Sequence, residues 1–171
     1  MSKDFFSPES QLNARRSGIY NTAARSLDEC VFCDLKSKYI LTEKNRMVAT
    51  VNIFPYIDGQ LLIIPRRHIE KMSELKPKEW TTIFYLSQIA ITVLREEMGI
   101  EGVWMVLREG EFGEKSGKTV KHLHWNIMPY SEKLNTWHYQ ELSVTPLDLA
   151  TKLRPRFANE NVGKTRIGKS R

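Results

Sequence analysis

Between Lys121 and Pro129 the chain reads Lys-His-Leu-His-Trp-Asn-Ile-Met-Pro, and polarity alternates along it residue by residue. A period of two marks a strand with one buried face, because successive side chains of extended backbone point to opposite sides. Leu123, Trp125 and Ile127 share a uniformly apolar face; His122, His124, Asn126 and Met128 share the other. A hydrophobic core takes the first face. Two imidazoles and an amide are then left directed together at something else. Residues two apart on a strand lie roughly 6.5–7 Å from each other, close enough to act on one substrate and far enough for separate roles.

The elements around this segment point to one sheet with one long helix. Leu41 and Met47 to Asn52 read as strands, with β-branched Val48 and Val51 among them. Phe54 to Gly59 is a turn cluster. Leu61 to Pro65 is an apolar run closed by proline and reads as a buried strand. From Pro77 to Met98 the apolar residues Trp80, Ile83, Phe84, Ala90, Ile91, Leu94 and Met98 recur at helical spacing. Pro77 suits a first helical position, and Gly99 suits a left-handed stop. Val103 to Leu107 is strand-like, and a shorter helix is expected over Pro146 to Leu153 with Thr145 as its cap and Pro155 beyond its end. One helix among several strands, without βαβ alternation, predicts an α+β domain on a mainly antiparallel sheet.

A length of 171 residues suits one domain with modest extensions. Residues 1–27 read as a polar leader that drapes over the body or stays mobile, 28–131 as the domain, and 132–171 as a C-terminal extension. Apolar residues at 41% and charged residues at 27% exclude a disordered chain. The apolar runs are far short of the roughly 20 residues of a membrane span. With no apolar signal core near Met1 and two cysteines in all, the expected setting is a reducing cytoplasm, with no membrane partner. Residues 152–171 carry the whole formal charge of +6. Such a tail suits either plain solvation or a weak contact with nucleic acid.

Immediately before the alternating segment lies Gly110-Glu-Phe-Gly-Glu-Lys-Ser-Gly117-Lys118-Thr119. Glycines let backbone N–H groups approach a phosphate closely, and Lys118 and Thr119 add a charge and a hydroxyl. This is no P-loop, since the motif's first glycine would fall at Phe112 and a strand pattern follows where a helix is required. A literal P-loop string at Gly163 to Ser170 has no room for a following helix, and is a chance match. Cys30-Val-Phe-Cys33 reads either as a redox pair or as half of a metal site. The redox reading lacks the expected strand–helix context. The metal reading needs two further ligands, for which His68 and His122 are candidates at long spacing.

In order along the chain, Cys30-Val-Phe-Cys33, Asn52, Gly59-Gln-Leu-Leu-Ile-Ile-Pro-Arg-Arg-His68 and Gly113 to Pro129 together resemble the histidine-triad (HIT) family of nucleotide hydrolases and transferases. The resemblance covers about residues 28–130. It implies an antiparallel sheet of about five strands with a long helix, and a homodimer. It implies that His124 attacks the α-phosphate of a nucleotide to form a covalent nucleotidyl-histidine, oriented by the His122 carbonyl and assisted by Asn126, Thr119, Lys118 and the amides near Gly117. It implies that Asn52 binds ribose while Ile53, Phe32 and Leu35 enclose the base. In relatives that keep Cys-x-x-Cys, it implies structural zinc on the positions of Cys30, Cys33, His68 and His122.

The chain also departs from the family's pattern. Asn126 occupies the position of the third histidine, Gln60 that of a histidine after Gly59, and Lys118-Thr119 that of Gln-Ser. An amide donates a hydrogen bond but not a proton to a leaving group. Transferase branches of the family carry Gln at the position of Asn126. The expectation is therefore a zinc-containing nucleotidyl hydrolase or transferase for an adenine nucleotide or dinucleoside polyphosphate. The rival reading is a nucleotide- or RNA-binding module with decayed catalysis.

Overall fold

The structure, a computed structural model, describes residues 7–13, 15–16, 30–111, 119–130 and 143–159. The chain divides into two compact units, Met1–Asn135 and Thr136–Arg171. In the first, a short helix α1 (Pro8–Asn13) precedes strands β1 (Ile40–Lys44), β2 (Met47–Val51) and β3 (Leu61–Pro65). The long helix α2 (Pro77–Met98) follows, then β4 (Val103–Leu107) and β5 (Trp125–Pro129). The five strands form one antiparallel sheet in the order β1-β2-β3-β5-β4. This is the α+β architecture the sequence predicts.

Turn chemistry and alternation explain the sheet. β1 and β2 meet across Asn45-Arg46, both at positive φ (49° and 63°), the geometry of a two-residue hairpin turn. Asn45 Nδ2 donates to Thr82 Oγ1 at 2.9 Å and ties that turn to α2. β3 is buried along its whole length, as its unbroken apolar run requires. Met47, Leu61, Ile63, Leu123, Trp125 and Ile127 join Ile83, Leu86, Ala90 and Leu94 of α2 in one core. Thr50, Leu62 and Asn126 are consecutive cross-strand partners and line a cavity on the sheet's other face.

Helix α2 has the bounds expected. Gly99 closes it at φ 63°, with its N–H bonded to the Arg95 carbonyl at 3.1 Å. Only part of the expected apolar set is buried. Glu79, Thr82, Ile83, Leu86, Ser87, Ala90 and Leu94 are buried, whereas Phe84 is 67% exposed and Trp80 and Met98 are half-exposed. Two apolar stripes share the 3.6-residue period, and the sheet's shape selects between them. Buried polar positions on the chosen stripe have partners: Glu79 binds Arg67, and Ser87 Oγ donates to the Ile83 carbonyl.

The described part of the leader is anchored, since Gln11 Nε2 donates to Tyr39 Oη at 3.1 Å and Arg15 Nε to the Phe54 carbonyl at 2.9 Å. In the second unit, helix α3 (Pro146–Asn159) starts as expected, with the Asp148 N–H donating to Thr145 Oγ1 at 3.2 Å. It runs past its expected end at Leu153 and contains Pro155. An α-helix tolerates one missing N–H at a local cost, so proline marks a boundary that the chain does not use.

Candidate active site and metal centre

β5 begins at Trp125, although the alternating segment starts at Lys121. The preceding residues leave the sheet, and the Leu123 N–H donates instead to the Ile69 carbonyl at 2.6 Å. The alternation survives this change. Leu123 packs into the core while His124 and Asn126 line the opposite cavity. His122 does not line that cavity; it belongs to an adjoining cluster, of which Cys30 and His68 reach the cavity wall.

His124 is 7% exposed, yet its ring is on the wall of a cavity of about 980 Å³. That volume suits a small organic ligand. Its Nδ1 is 2.8 Å from the His122 carbonyl oxygen. A carbonyl only accepts, so Nδ1 carries the proton and Nε2 carries the lone pair. Phe32 meets the imidazole edge-on, with ring centroids 4.9 Å apart.

Asn126 is fixed in the flanking position. Its Oδ1 accepts from Gln60 Nε2 at 2.9 Å, and its Nδ2 donates to the Val106 carbonyl at 3.1 Å. Gln60 Oε1 in turn accepts the Tyr56 N–H at 2.7 Å. Asn126 and Gln60 are thus one hydrogen-bonded pair of amides.

The same cavity is lined by Cys30, Phe32, Leu35, Asn52, Ile53, His68 and Thr119, which brings together seven of the other residues singled out in the sequence. Asn52 Oδ1 is engaged by the Phe54 N–H at 3.0 Å, so its amide offers donors to a ligand. Gly117 and Lys118 lie outside the described residues. Sequence reasoning missed Arg15, Tyr56 and Arg108, which also line the cavity. No motif holds them; they meet only through the fold.

Donor atoms of Cys30, Cys33, His68 and His122 all lie within 4.8 Å of one another. His122 Nδ1 is 3.4 Å from Cys30 Sγ and 3.7 Å from Cys33 Sγ, and His68 Nδ1 is 3.3 Å from Cys33 Sγ. Zn–S and Zn–N bonds of about 2.3 and 2.0–2.1 Å at tetrahedral angles give S···N edges near 3.6 Å. The four donors therefore fit a closed zinc site. His122 Nε2 donates to the Pro65 carbonyl at 2.8 Å, which leaves Nδ1 as the ligand atom. Burial pushes this imidazole down to about 4, so it is neutral and ready to ligate at physiological pH. Burial, and then the adjoining Cys30, raises the Cys33 thiol, and a divalent cation between the two sulfurs would remove that obstacle to thiolates.

The HIT domain profile matches residues 35–133. The chain belongs to the HIT family. A bis(5'-adenosyl)-triphosphatase of Dictyostelium discoideum is 27% identical to this HIT protein over 128 residues, covering 68% of this chain and 83% of the relative. A HIT family protein of Bacillus subtilis, known by crystal structure, shares its fold at a TM-score of 0.63 and 24% identity, over 84% of this chain and 100% of that one. A zinc-bound histidine triad family protein of Mycobacterium smegmatis shares it at a TM-score of 0.53 and 21% identity, over 80% of this chain and 99% of that one. Among the described residues, no helix of this HIT protein is long and apolar enough to cross a membrane.

Proposed function

We propose that this protein is a nucleotidyl hydrolase or transferase for an adenine nucleotide or dinucleoside polyphosphate, acting through a covalent nucleotidyl-His124. The observation that carries the reading is the His124 Nδ1–H held on the His122 carbonyl at 2.8 Å, with the ring on the cavity wall. Nε2 attacks the α-phosphorus; the bond from phosphorus to the leaving oxygen breaks, and that oxygen keeps the electron pair. The imidazole becomes cationic on phosphorylation, and the His122 carbonyl stabilises the charge at Nδ1–H. Water or another acceptor then attacks phosphorus and gives its proton to solvent, the P–N bond breaks with its electron pair returning to Nε2, and neutral imidazole is restored. One difficult displacement becomes two easier ones.

The remaining residues bind and orient. Thr119, with Lys118 and the amides near Gly117, serves the equatorial phosphate oxygens. Asn126 stands at the third position of the triad and donates a hydrogen bond there, but no proton. Phe32, Leu35 and Ile53 enclose the base, and Asn52 donates to ribose oxygens. Zinc on Cys30, Cys33, His68 and His122 is structural: it closes a tetrahedron and pins the segment that supplies the orienting carbonyl. The reading includes a cytoplasmic location, where both thiols stay reduced, and a homodimer. The exposed Met105 on edge strand β4 and Phe84 on the outer side of α2 favour the latter. The domain bounds of 28–131 belong to the same reading.

The experiment is a quench of the protein with labelled diadenosine tetraphosphate, followed by mass spectrometry for an acid-labile adenylyl group on His124. The adduct and AMP release are expected from the native protein and from neither His124→Ala nor His124→Gly. AMP release that survives both replacements would overturn the reading. Nucleotide binding without any adduct would favour the decayed binding module.

A further inference from the structure

Three residues outside the family's motifs form a cluster on the wall of the His124 cavity. Arg15 places its guanidinium carbon 3.8 Å from the centre of the Tyr56 ring, and its Nε donates to the Phe54 carbonyl at 2.9 Å. Arg108 donates from Nη1 to Tyr56 Oη at 3.2 Å, with its guanidinium carbon 5.3 Å from the ring centre. One tyrosine thus holds two guanidiniums in place, one over its face and one at its hydroxyl end. Burial pulls the Tyr56 phenol upward, but the Arg108 hydrogen bond and the charges of Arg15 and Arg108 outweigh it and leave the group below its ordinary value.

The cluster is placed toward the reacting atoms. Leu107 pairs with Trp125 at the edge of the sheet, so Arg108 and His124 are the next residues on facing segments. The Tyr56 N–H is bonded to Gln60, which is bonded to Asn126. Among the described lining residues the cavity carries five Lys or Arg against Asp34 and Glu70.

We infer that Arg15 and Arg108, braced by Tyr56, form a subsite for the phosphate chain of the departing group. This rests on the nucleotidyl chemistry proposed above and names its substrate class: nucleotides whose α-phosphate is followed by at least two more phosphates. Asn126 delivers no proton, so the leaving oxygen departs as an anion. A phosphate chain departs that way readily, and an amine does not. Guanidinium forks match phosphate oxygens two at a time and stabilise the charge as it develops. Bracing on the ring and on the Phe54 carbonyl lowers the ordering cost of both long side chains.

Inorganic tripolyphosphate is the probe, because its binding is read by calorimetry without turnover. It is expected to bind the native protein, and to bind Arg15→Ala, Arg108→Ala and Arg108→Gln about tenfold more weakly or worse, with a shallower salt dependence. Lys78→Ala, which removes a cation outside the cavity, is expected to match the native protein. In parallel, the kcat/KM ratio of diadenosine tetraphosphate to adenosine 5'-phosphoramidate, whose leaving group is ammonia, should fall about tenfold in the arginine variants. Native-level tripolyphosphate binding in the arginine variants, or equal losses on both substrates, would overturn the subsite. Far-UV circular dichroism checks each variant for folding, and Arg108→Gln keeps a long polar side chain should Arg108→Ala unfold. An adenylyl-His124 adduct together with unchanged tripolyphosphate binding in the variants would sink only this inference. Arginine-dependent binding with no adduct would sink only the reaction.

Discussion

The side-chain amide of Gln60, 2% exposed, donates to Asn126 Oδ1 at 2.9 Å while its own oxygen accepts the Tyr56 N–H at 2.7 Å. This one amide links the turn carrying Tyr56 to the residue two beyond His124. Replacing Gln60 by Ala leaves the part-buried Tyr56 N–H and the buried Asn126 Oδ1 without their partner, at a cost of about 2–4 kcal/mol. Denaturant unfolding checks it; a loss within about 0.5 kcal/mol, as expected of surface positions, would refute the buried link. Gln60→Glu keeps the packing but presents an acceptor to Asn126 Oδ1. It should turn the Asn126 amide over, which breaks the bond to Val106, and lower kcat more than it raises KM.

The metal tetrad has an exposed half, Cys33 and His68, and a less exposed half, Cys30 and His122. The native protein is expected to hold one zinc per chain, measured by atomic emission. A strong chelator should remove it through the exposed side and lower the melting temperature. Cys33→Ser should lose the ion and melt earlier, with a smaller further change on adding chelator. If the chelator shifts native protein and Cys33→Ser equally, the tetrad does not hold structural zinc.

Arg67 grips Glu79 with two hydrogen bonds, from Nε at 2.8 Å and from Nη2 at 2.7 Å, and Glu79 also accepts the Lys76 N–H at 2.7 Å. Arg67 precedes the ligand His68, so this contact anchors the ligand-bearing segment to the start of α2. The Arg67 hydrogen bonds hold the Glu79 carboxyl below its ordinary value of 4.5, against an opposing effect of burial. A depressed folded value means that the unfolded chain takes up the proton first as pH falls. The stabilisation is therefore complete above the ordinary value and drains away as pH drops through the depressed one. Glu79→Gln should cost about 1.5–3 kcal/mol at pH 7 and flatten the acid limb of the stability profile. Parallel acid limbs for the two proteins would contradict the assignment.

Local physics makes some features legible in the sequence itself. Pro77 and Gly99 mark the ends of α2 because each acts on its own backbone: one lacks an N–H, the other adopts φ 63° without strain. The strands at Met47 and Leu61 follow from side-chain type. His124 and Asn126 share a face because extended backbone alternates, and the alternation persists although β5 starts only at Trp125. The order of the motifs suffices for the family.

Contacts across long stretches of chain are not legible in this way. Nothing in the helix pattern says that Ile83 and Leu86 are buried while Phe84 faces away, since both stripes share the same period and the neighbouring sheet selects one. The tetrad needs the fold to carry Cys30 and Cys33 to His68 and His122, across separations of up to 92 residues. Arg15, Tyr56 and Arg108 meet from a leader, a turn and a strand end, and no spacing rule relates them. Periodicity and turn chemistry are properties of neighbours along the chain, so the sequence alone determined the elements and the face His124 presents. Convergence of charges and ligands is a property of neighbours in space, and only the tertiary structure decided it.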